Sequence, residues 1–483
     1  MSNLLLGPIV GGLSHRRAHL WGKADGPGIL YAWLGQEPYL VDARLAGQSL
    51  PLRVEDGFSG VAPISGLFPD SSYHYALTLT SQPPDPLSGP YPQFSSFPLP
   101  GQPRPFSFAF GSCFRPAGNH GGRIFRAVEE RRKIDDLRFI LMTGDQIYAD
   151  DYRHNGLGSV ACNLTEYRQV YQHAWSNQPF RQLLQNLPAF MILDDHEVDD
   201  DWTWTDKDRQ HAQIPVWNRV LRWLKRRAPF EWKISQQKVQ DALQAYWEHQ
   251  GMHAPPFELP PALDEREQYI LDPGNLGSLA YTFNFGAAAF FVLDTRTMRV
   301  KNNTQRVILG EEQWQALEAW LLAVKDDYPL KFLVSSGALL FQMWVDIARD
   351  RWAGFPAERR RLLHFIAANG IEGVYVLCGD LHSAHAIRAD LYGPLGQALP
   401  LWEFCSSPFE QKTNWLARHT YHPVRGAPIR NQKNYITIAE NNFGIVRIDF
   451  DENENPLVSF DLYGEGGDQL AQLSCQAESQ PIP

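Results

Sequence analysis

From Phe106 onward the chain alternates continuous apolar runs with stretches of helical period, and nearly every apolar run stops at a polar group. FSFAFGSC ends in Cys113, LRFILMTGD in Asp145, AFMILDD in Asp194 and Asp195, AAAFFVLDTR in Asp294, LKFLVSSG in Ser335 and Ser336, and GVYVLCGDLH in Asp380 and His382. Runs that do not alternate predict strands buried on both faces. Helical patterns such as IFRAVEERR, EEQWQALEAWLLAV and ERRRLLHFIAANG lie between several of them. The pattern predicts an α/β (α+β) fold in which a largely parallel or mixed sheet is covered by helices on both faces. Ligands bind beyond the carboxyl ends of strands in open α/β sheets. If the strands run parallel, six ends deliver Cys, Asp, Asp-Asp-His, Asp, Ser and Asp-x-His to one rim.

Residues 1–103 have another texture. Short runs such as ILYAWLG and YHYALTL are punctuated by Gly, Pro, Asp and Ser, and period two puts Tyr73 and Tyr75 on one face. A small β-sandwich is predicted there. Pro98, Pro100, Gly101, Pro103 and Pro105 make a stiff linker and a domain boundary. The second domain is placed at 104–470. Within it, 202–275 carries no strand signal: VWNRVLRWLKRRAPFEWK is aromatic and basic, VQDALQAYWEHQ is helical, and the stretch is predicted to be a helical cap over the rim. NNFGIVRIDFDENENPLVSFDLYGEGG predicts a hairpin turning at Asp451 to Asn455, followed by a tail, 471–483.

Composition narrows the class. The 483 residues suit two or three domains. With 44 basic and 54 acidic residues the formal net charge is −10, which argues against a general nucleic-acid binder. Five scattered cysteines imply no disulfide framework. No apolar stretch approaches the roughly 20 residues of a membrane-spanning helix. MSNLLLGPIVGG has no basic leader region, so the chain reads as a cytoplasmic protein, or a periplasmic or extracellular one if a leader has been lost.

The densest chemistry is MILDDHEVDDDW, residues 191 to 202. Alone it fits either a solvated acidic loop or half of a metal site. GDQIY places Asp145 and Tyr148 after a strand, where a carboxylate could bridge two cations and a tyrosinate could ligate a trivalent iron. Cys113 fits either a small buried apolar residue or a thiolate ligand. In GDLH, Asp380 and His382 sit two apart, as a mixed oxygen and nitrogen donor pair; His385 reads as a supporting or surface residue. There is no G-x-S-x-G, Walker A or G-x-G-x-x-G motif.

The pieces matter most in their order: strand-Cys, GDQIY, LDDHEV with Trp202 downstream, LDTR, CGDLH. In this order the chain resembles the metallophosphoesterase (calcineurin-like) superfamily, and within it the PhoD-type alkaline phosphatases, over essentially its whole length. The resemblance implies a layered β-sandwich flanked by helices, behind a fibronectin- or Ig-like N-terminal domain. It implies metal ligation by Cys113, Asp145 (bridging), Tyr148, Asp195, Asp380 and His382, with His196 assisting the leaving group. Asp194 and Glu197 are expected in support, Glu197 orienting the imidazole. Asp200 and Asp201 stand where better-known members carry asparagines, and could ligate metal or surround the ligands. Arg296 is expected in catalysis, and Arg219 and Arg222 of the basic stretch at the substrate.

The implied cofactors are Fe(III) with one or two divalent cations, Ca(II) first, with Mn, Zn or Mg as substitutes. The implied reaction is hydrolysis of a small phosphate mono- or diester by a metal-bound hydroxide, without nucleic acid or a membrane span, the oligomeric state being left open. Two alternatives stay in view: a nucleotide or phospholipid phosphodiesterase of the same superfamily, and a binding module that keeps the fold without catalysis.

Overall fold

The computed structural model describes residues 2–115, 120–203, 235–260, 262–263, 269–270, 277–301, 306–344 and 350–475. Two large mixed sheets organise the second part of the chain. Their strands are β1 (Phe106–Gly111), β2 (Leu137–Met142), β3 (Ala189–Met191), β4 (Phe257–Leu259), β5 (Ser278–Phe285), β6 (Ala288–Val292) and β7 (Leu330–Val334). There follow β8 (Val374–Cys378), β9 (Ala384–Tyr392), β10 (Ala398–Cys405), β11 (Ile429–Ile438), β12 (Asn442–Phe450), β13 (Pro456–Gly464) and β14 (Gln469–Ser474). The first sheet has order β3-β2-β1-β12-β13-β14, and the second β4-β5-β6-β7-β8-β10-β9-β11. β1, β2 and β3 are parallel, and so are β6, β7, β8 and β10.

The strands are buried on both faces, as their composition demands, but the covering differs from one sheet wrapped in helices. The two sheets cover each other. Along β1, Phe106, Phe108 and Phe110 face the second sheet, while Ala109 turns to the helices. Phe139 and Leu141 of β2 do the same against Leu137, Ile140 and Met142. Phe108 stacks on Phe139 at 4.9 Å and meets Phe290 and Phe332 of the second sheet edge-on at 5.7 and 5.6 Å. Helices α1 (Arg123–Asp135), α2 (Leu164–Trp175), α3 (Gln178–Asn186) and α4 (Gln236–His249) supply apolar faces to the outer side of the first sheet. α5 (Glu311–Ala323) and α6 (Pro356–Ala368) do so for the second. A four-layer α/β sandwich results.

Upstream lie a three-stranded sheet (Leu4–Gly11, Arg17–Ala24, Ser59–Ser65) and a four-stranded one (Tyr31–Gly35, Arg44–Gln48, Ser72–Thr78, Gln93–Ser95). Tyr73 and Tyr75 are both buried between them. The proline-rich segment that follows is not a free spacer. Phe97 packs on Phe285 at 4.8 Å, and the Gly101 amide donates to the Gly286 carbonyl at 2.8 Å.

Two further expectations are corrected. VQDALQAYWEHQ is helical as α4, but it is not a lid over the rim. Its Val239, Ala242, Leu243 and Tyr246 are buried with α2, and its Glu248 carbonyl accepts from the Trp21 indole at 2.8 Å. An apolar helical face goes where apolar surface awaits it, here the flank of the sandwich. Residues 471–474 are not a tail but part of edge strand β14, which adds a third strand to the expected hairpin. The basic stretch with Arg219 and Arg222 lies outside the described residues.

Candidate metal centre

The parallel strands of both sheets end on one side of the sandwich, and the polar groups that stop the apolar runs meet there. Turning a chain abruptly out of a strand strains it. Five non-glycine residues of the site hold positive φ: Cys113 (63°), Asp145 (57°), Asp201 (60°), Asp380 (63°) and His382 (54°). Such left-handed conformations are uncommon outside glycine and cluster at functional sites. The glycines before the two aspartates make the close approach. A Cβ on Gly144 (φ 107°) would sit 2.5 Å from the Asp194 Cβ, and one on Gly379 would lie 2.3 Å from the Ser112 hydroxyl.

Asp145 is the centre. Its Oδ2 lies 3.3 Å from both the Cys113 thiol and the Tyr148 hydroxyl, and its Oδ1 accepts from the His196 amide at 3.3 Å. The Tyr148 hydroxyl lies 3.1 Å from His382 Nε2. Three donor sets share Asp145: Cys113, Asp145 and His382 on one side, Asp145, Asp194, Asp195 and Asp380 on the other, and Asp145, Asp195 and His196 toward the cavity, ligand atoms within 4.8 Å in each. A further set without Asp145, formed by Asp195, Asp201 and Asp350, meets the same spacing. Asp350 already faces Arg296 and Arg299 at 2.6 Å and Lys301 at 3.4 Å, so it has little charge left for a cation.

These residues fit metal ions. Asp194 Oδ2 and Asp195 Oδ1 are buried without a hydrogen-bond partner, which a native protein rarely leaves unexplained. Burial and the charge of Cys113 push the Asp145 carboxyl well above the carboxylate range. Burial, with Asp380 nearby, pushes the Cys113 thiol up to about 12, and burial with Cys113 and Asp145 raises the Tyr148 phenol. Burial, with His196 nearby, lowers His382 to about 3, leaving its imidazole neutral. Acids crowded until they hold their protons, beside a neutral imidazole, are a donor set short of positive charge.

Above the donors opens a cavity of about 830 Å³, lined among others by Tyr148, Asp150, Asp195, His196, Asp200, Asp201, Asp380 and His382. Arg115, Arg153, Arg351 and Lys412 bring positive charge to its wall. Asp150 Oδ1 holds His196 Nδ1 at 2.8 Å. Burial opposes the imidazolium, yet Asp150, Asp195 and Asp145 hold His196 well above the ordinary histidine value.

Residues 108–456 match the family described as PhoD-like phosphatase. The chain belongs to that family. Alkaline phosphatase D of Bacillus subtilis (strain 168) is 27% identical over 354 residues, which cover 66% of this chain and 52% of that protein. The chain thus spans about half the length of this curated relative. Among solved structures, PhoD superposes with a TM-score of 0.65 at 18% identity, over 98% of this chain and 93% of that one. The purple acid phosphatase PPD1 of yellow lupin (Lupinus luteus) seeds gives 0.58 at 13% identity, over 99% and 76%. These two likenesses concern the fold. The family is one of metal-dependent phosphatases, which suits the donor sets described above.

The residues in and around the site divide into three groups. Cys113, Asp145, Tyr148, Asp195, Asp380 and His382 meet at the donor sets, and His196 lines the cavity beside them. Others do a different job from the one expected. Glu197 does not orient the imidazole; its carboxylate accepts from the amides of Asp145, Gln146 and Asp194 at 3.2, 2.7 and 3.0 Å, pinning the strand ends together. Arg296 does not line the cavity. It is 1% exposed and faces Asp194 at 2.5 Å and Asp350 at 2.6 Å, so its charge is spent on those carboxylates. Asp294 shapes a turn by accepting from the amides of Arg296, Thr297 and Leu279. Asp194 accepts through Oδ1 from Ser336 at 2.8 Å and from Arg296, which leaves its Oδ2, without a hydrogen-bond partner, to the donor set. Asp200 lines the cavity, and its amide donates to Asp150; the Asp201 amide donates to Asp195 Oδ2 at 2.8 Å. His385 is fully buried rather than at the surface.

The third group had not been singled out at all: Asp150, Asp350 and the wall residues Arg115, Arg153, Arg351 and Lys412. The only signal for Asp150 was a second acidic pair, Asp150-Asp151, just after GDQIY.

Proposed function

We propose that the protein is a metal-dependent phosphoric ester hydrolase for small phosphate esters, a monoesterase with diesterase activity. The observation that carries this reading is the group of donor sets sharing Asp145 on the floor of a cavity whose wall carries Arg115, Arg153, Arg351 and Lys412 among its aspartates. Cys113, Asp145, Tyr148 and His382 combine thiolate, phenolate, carboxylate and imidazole, a set that suits Fe(III). Asp145, Asp195 and Asp380 form an all-oxygen set that suits a hard divalent cation, Ca(II) first, with Mn(II), Zn(II) or Mg(II) as substitutes. When bound, such cations supply Lewis acidity to the phosphoryl group and lower the pKa of water.

The chain's own residues do the rest. Arg153 and Lys412 offset the charge of an incoming phosphate, while Arg115 is paired with Asp151 at 2.9 Å. Asp150 fixes His196 Nδ1, which leaves Nε2 to donate to the leaving oxygen, a contribution of roughly 10²–10⁴-fold for a general acid. Arg296 and Glu197 hold the ligand-bearing loops in place.

The test is Asp145→Asn, with metal content and aryl phosphate turnover measured on purified protein. The expected outcome is loss of bound metal and of turnover together; full activity in this variant overturns the reading. Tyr148→Phe is expected to bleach a violet or brown tyrosinate-to-iron absorption. Purified protein that is metal-free and inactive would restore the binding-module alternative.

One observation favours a diester with an apolar substituent. Trp415 and Leu416, 64% and 44% exposed, stand on the cavity wall. Trp415→Ala should then lower kcat/KM for a phospholipid or bis-aryl diester and leave the monoester unchanged.

A further inference from the structure

A separate donor set crosses the second sheet on its helix-covered face. Cys378 ends β8, Cys405 ends β10, and His385 lies in β9. Cys378 pairs in register with Cys405, and Cys405 with His385, so the three form one row across three adjacent strands. Residues paired in register share a face, and so do those two positions along. Val376 and Ile387 accordingly belong to the apolar cluster beneath α5 and α6. All three row members are fully buried, and one ligand atom of each lies within 4.8 Å of the others. None belongs to a donor set of the cavity.

Glu403, one row further along β10, decides which nitrogen is available. Its carboxylate accepts from the amides of Leu339, Leu340 and Phe341 at 2.6, 2.8 and 3.1 Å, and its Oε1 faces His385 Nε2 at 2.9 Å. An acceptor this fully engaged puts the proton on Nε2. The lone pair then falls on Nδ1, which is buried and has no hydrogen-bond partner. A carboxylate behind a histidine whose other nitrogen faces thiols is the arrangement that orients metal-binding imidazoles.

We propose that Cys378, Cys405 and His385 Nδ1 form a second, structural site for a thiophilic d¹⁰ cation, zinc(II). Burial opposes the Cys405 thiolate, but Cys378 and His385 hold that thiol down at about 6, so binding releases the Cys378 thiol proton and the proton that His385 holds beside Cys405. Zinc(II) with two thiolates and a neutral imidazole is electroneutral, which an apolar interior favours; copper(I) would leave one negative charge there. Structural zinc is usually four-coordinate. The carbonyl oxygens of Gly379 and Ser383, 3.5 and 3.4 Å from the Cys405 sulfur, stand close by as the fourth donor. In the metal-free protein a proton takes the cation's place: burial opposes it, but Cys405 and Glu403 hold His385 up at about 9. The site would tie together two strand ends that lead into the cavity, one running on to Asp380 and His382. The other runs on to Ser407, whose hydroxyl touches the Cys113 thiol.

This site is independent of the reading of the cavity, and its test reads no activity. Zinc-edge X-ray absorption of the full-length wild-type protein should show two sulfurs and an imidazole nitrogen around zinc. Cys113 alone, the one cysteine in the donor sets around Asp145, cannot supply two sulfurs. One equivalent of zinc should disappear in Cys405→Ser and persist in Cys113→Ser. A zinc shell of oxygen and nitrogen alone overturns the proposal, as does purified protein without zinc. So does an intact mass two hydrogens light, located to a Cys378–Cys405 disulfide. The wild-type measurement decides the matter even if Cys405→Ser fails to fold.

Discussion

At the scale of single residues, the site pairs candidate metal donors with the groups that aim them. Asp150 is the clearest of the latter, 2.8 Å from His196 Nδ1 and beside the cavity. Its charge is one of those holding the His196 imidazolium well above the ordinary value. A raised value means that the proton is kept to higher pH, so removing the charge should shift proton loss downward. Asp150→Asn is therefore expected to move the alkaline limb of the kcat profile to lower pH and to forfeit part of the ~10²–10⁴-fold general-acid contribution. A limb that stays where it was would sink the assignment. Asp150 also shows why the sequence exposed some of the site and hid the rest. Cys113, Asp145, Asp195, Asp380 and His382 each follow an apolar run and can be read from the run alone. Asp150 and Asp350 follow none. Their roles come from partners 46 and 54 residues away in the chain, His196 and Arg296.

At the scale of elements, aromatic strands bind the two sheets and an apolar helix closes one flank. Phe139 touches both sheets, stacking on Phe108 at 4.9 Å and meeting Phe290 edge-on at 5.8 Å. Phe139→Ala should cost about 3–5 kcal/mol of stability, as large-to-small changes of buried aromatics do; a loss under ~1 kcal/mol in urea unfolding would contradict this packing.

Where α4 meets the N-terminal strands, His253 is fully buried beside Trp21 and reaches the His249 carbonyl at 2.9 Å. Burial lowers His253 from 6.5 to about 3. Between those values the unfolded chain binds a proton that the folded one does not. The stability it contributes is complete above pH 6.5 and is lost as the pH falls through that window. His253→Gln removes this titration. Relative to wild type, the variant should gain about 1.4 kcal/mol per pH unit below 6.5. Denaturant curves at pH 7, 6 and 5 would show it, and a constant difference across them would refute it.

At the scale of the whole molecule, the N-terminal sheets and the large sandwich share one apolar cluster, running from Leu20 and Tyr75 through Phe97 to Phe139 and Phe290. Polar ties reinforce it: the Tyr75 hydroxyl donates to the Gln185 carbonyl at 2.7 Å, and Trp21 to Glu248. A chain with a composition break near residue 100 is thus expected to unfold in one cooperative step. Calorimetry of chelator-treated protein should give a single transition; two resolved transitions would show the halves to be energetically separate.

The sequence by itself determined which segments become buried strands, that polar groups stop them, and which motif order they follow. Each of those is a local property, set by side-chain period and by glycine at a turn. The layered sandwich that the family resemblance implied is what the structure shows, two sheets facing each other with helices outside; the continuous apolar runs alone mark strands covered on both faces without naming what covers them. Tertiary structure alone placed α4 on the flank, turned Arg296 and Glu197 inward as supports, and brought Asp150 to His196. Those outcomes depend on charges and surfaces far apart in the chain, whose meeting is settled by the packing of the whole.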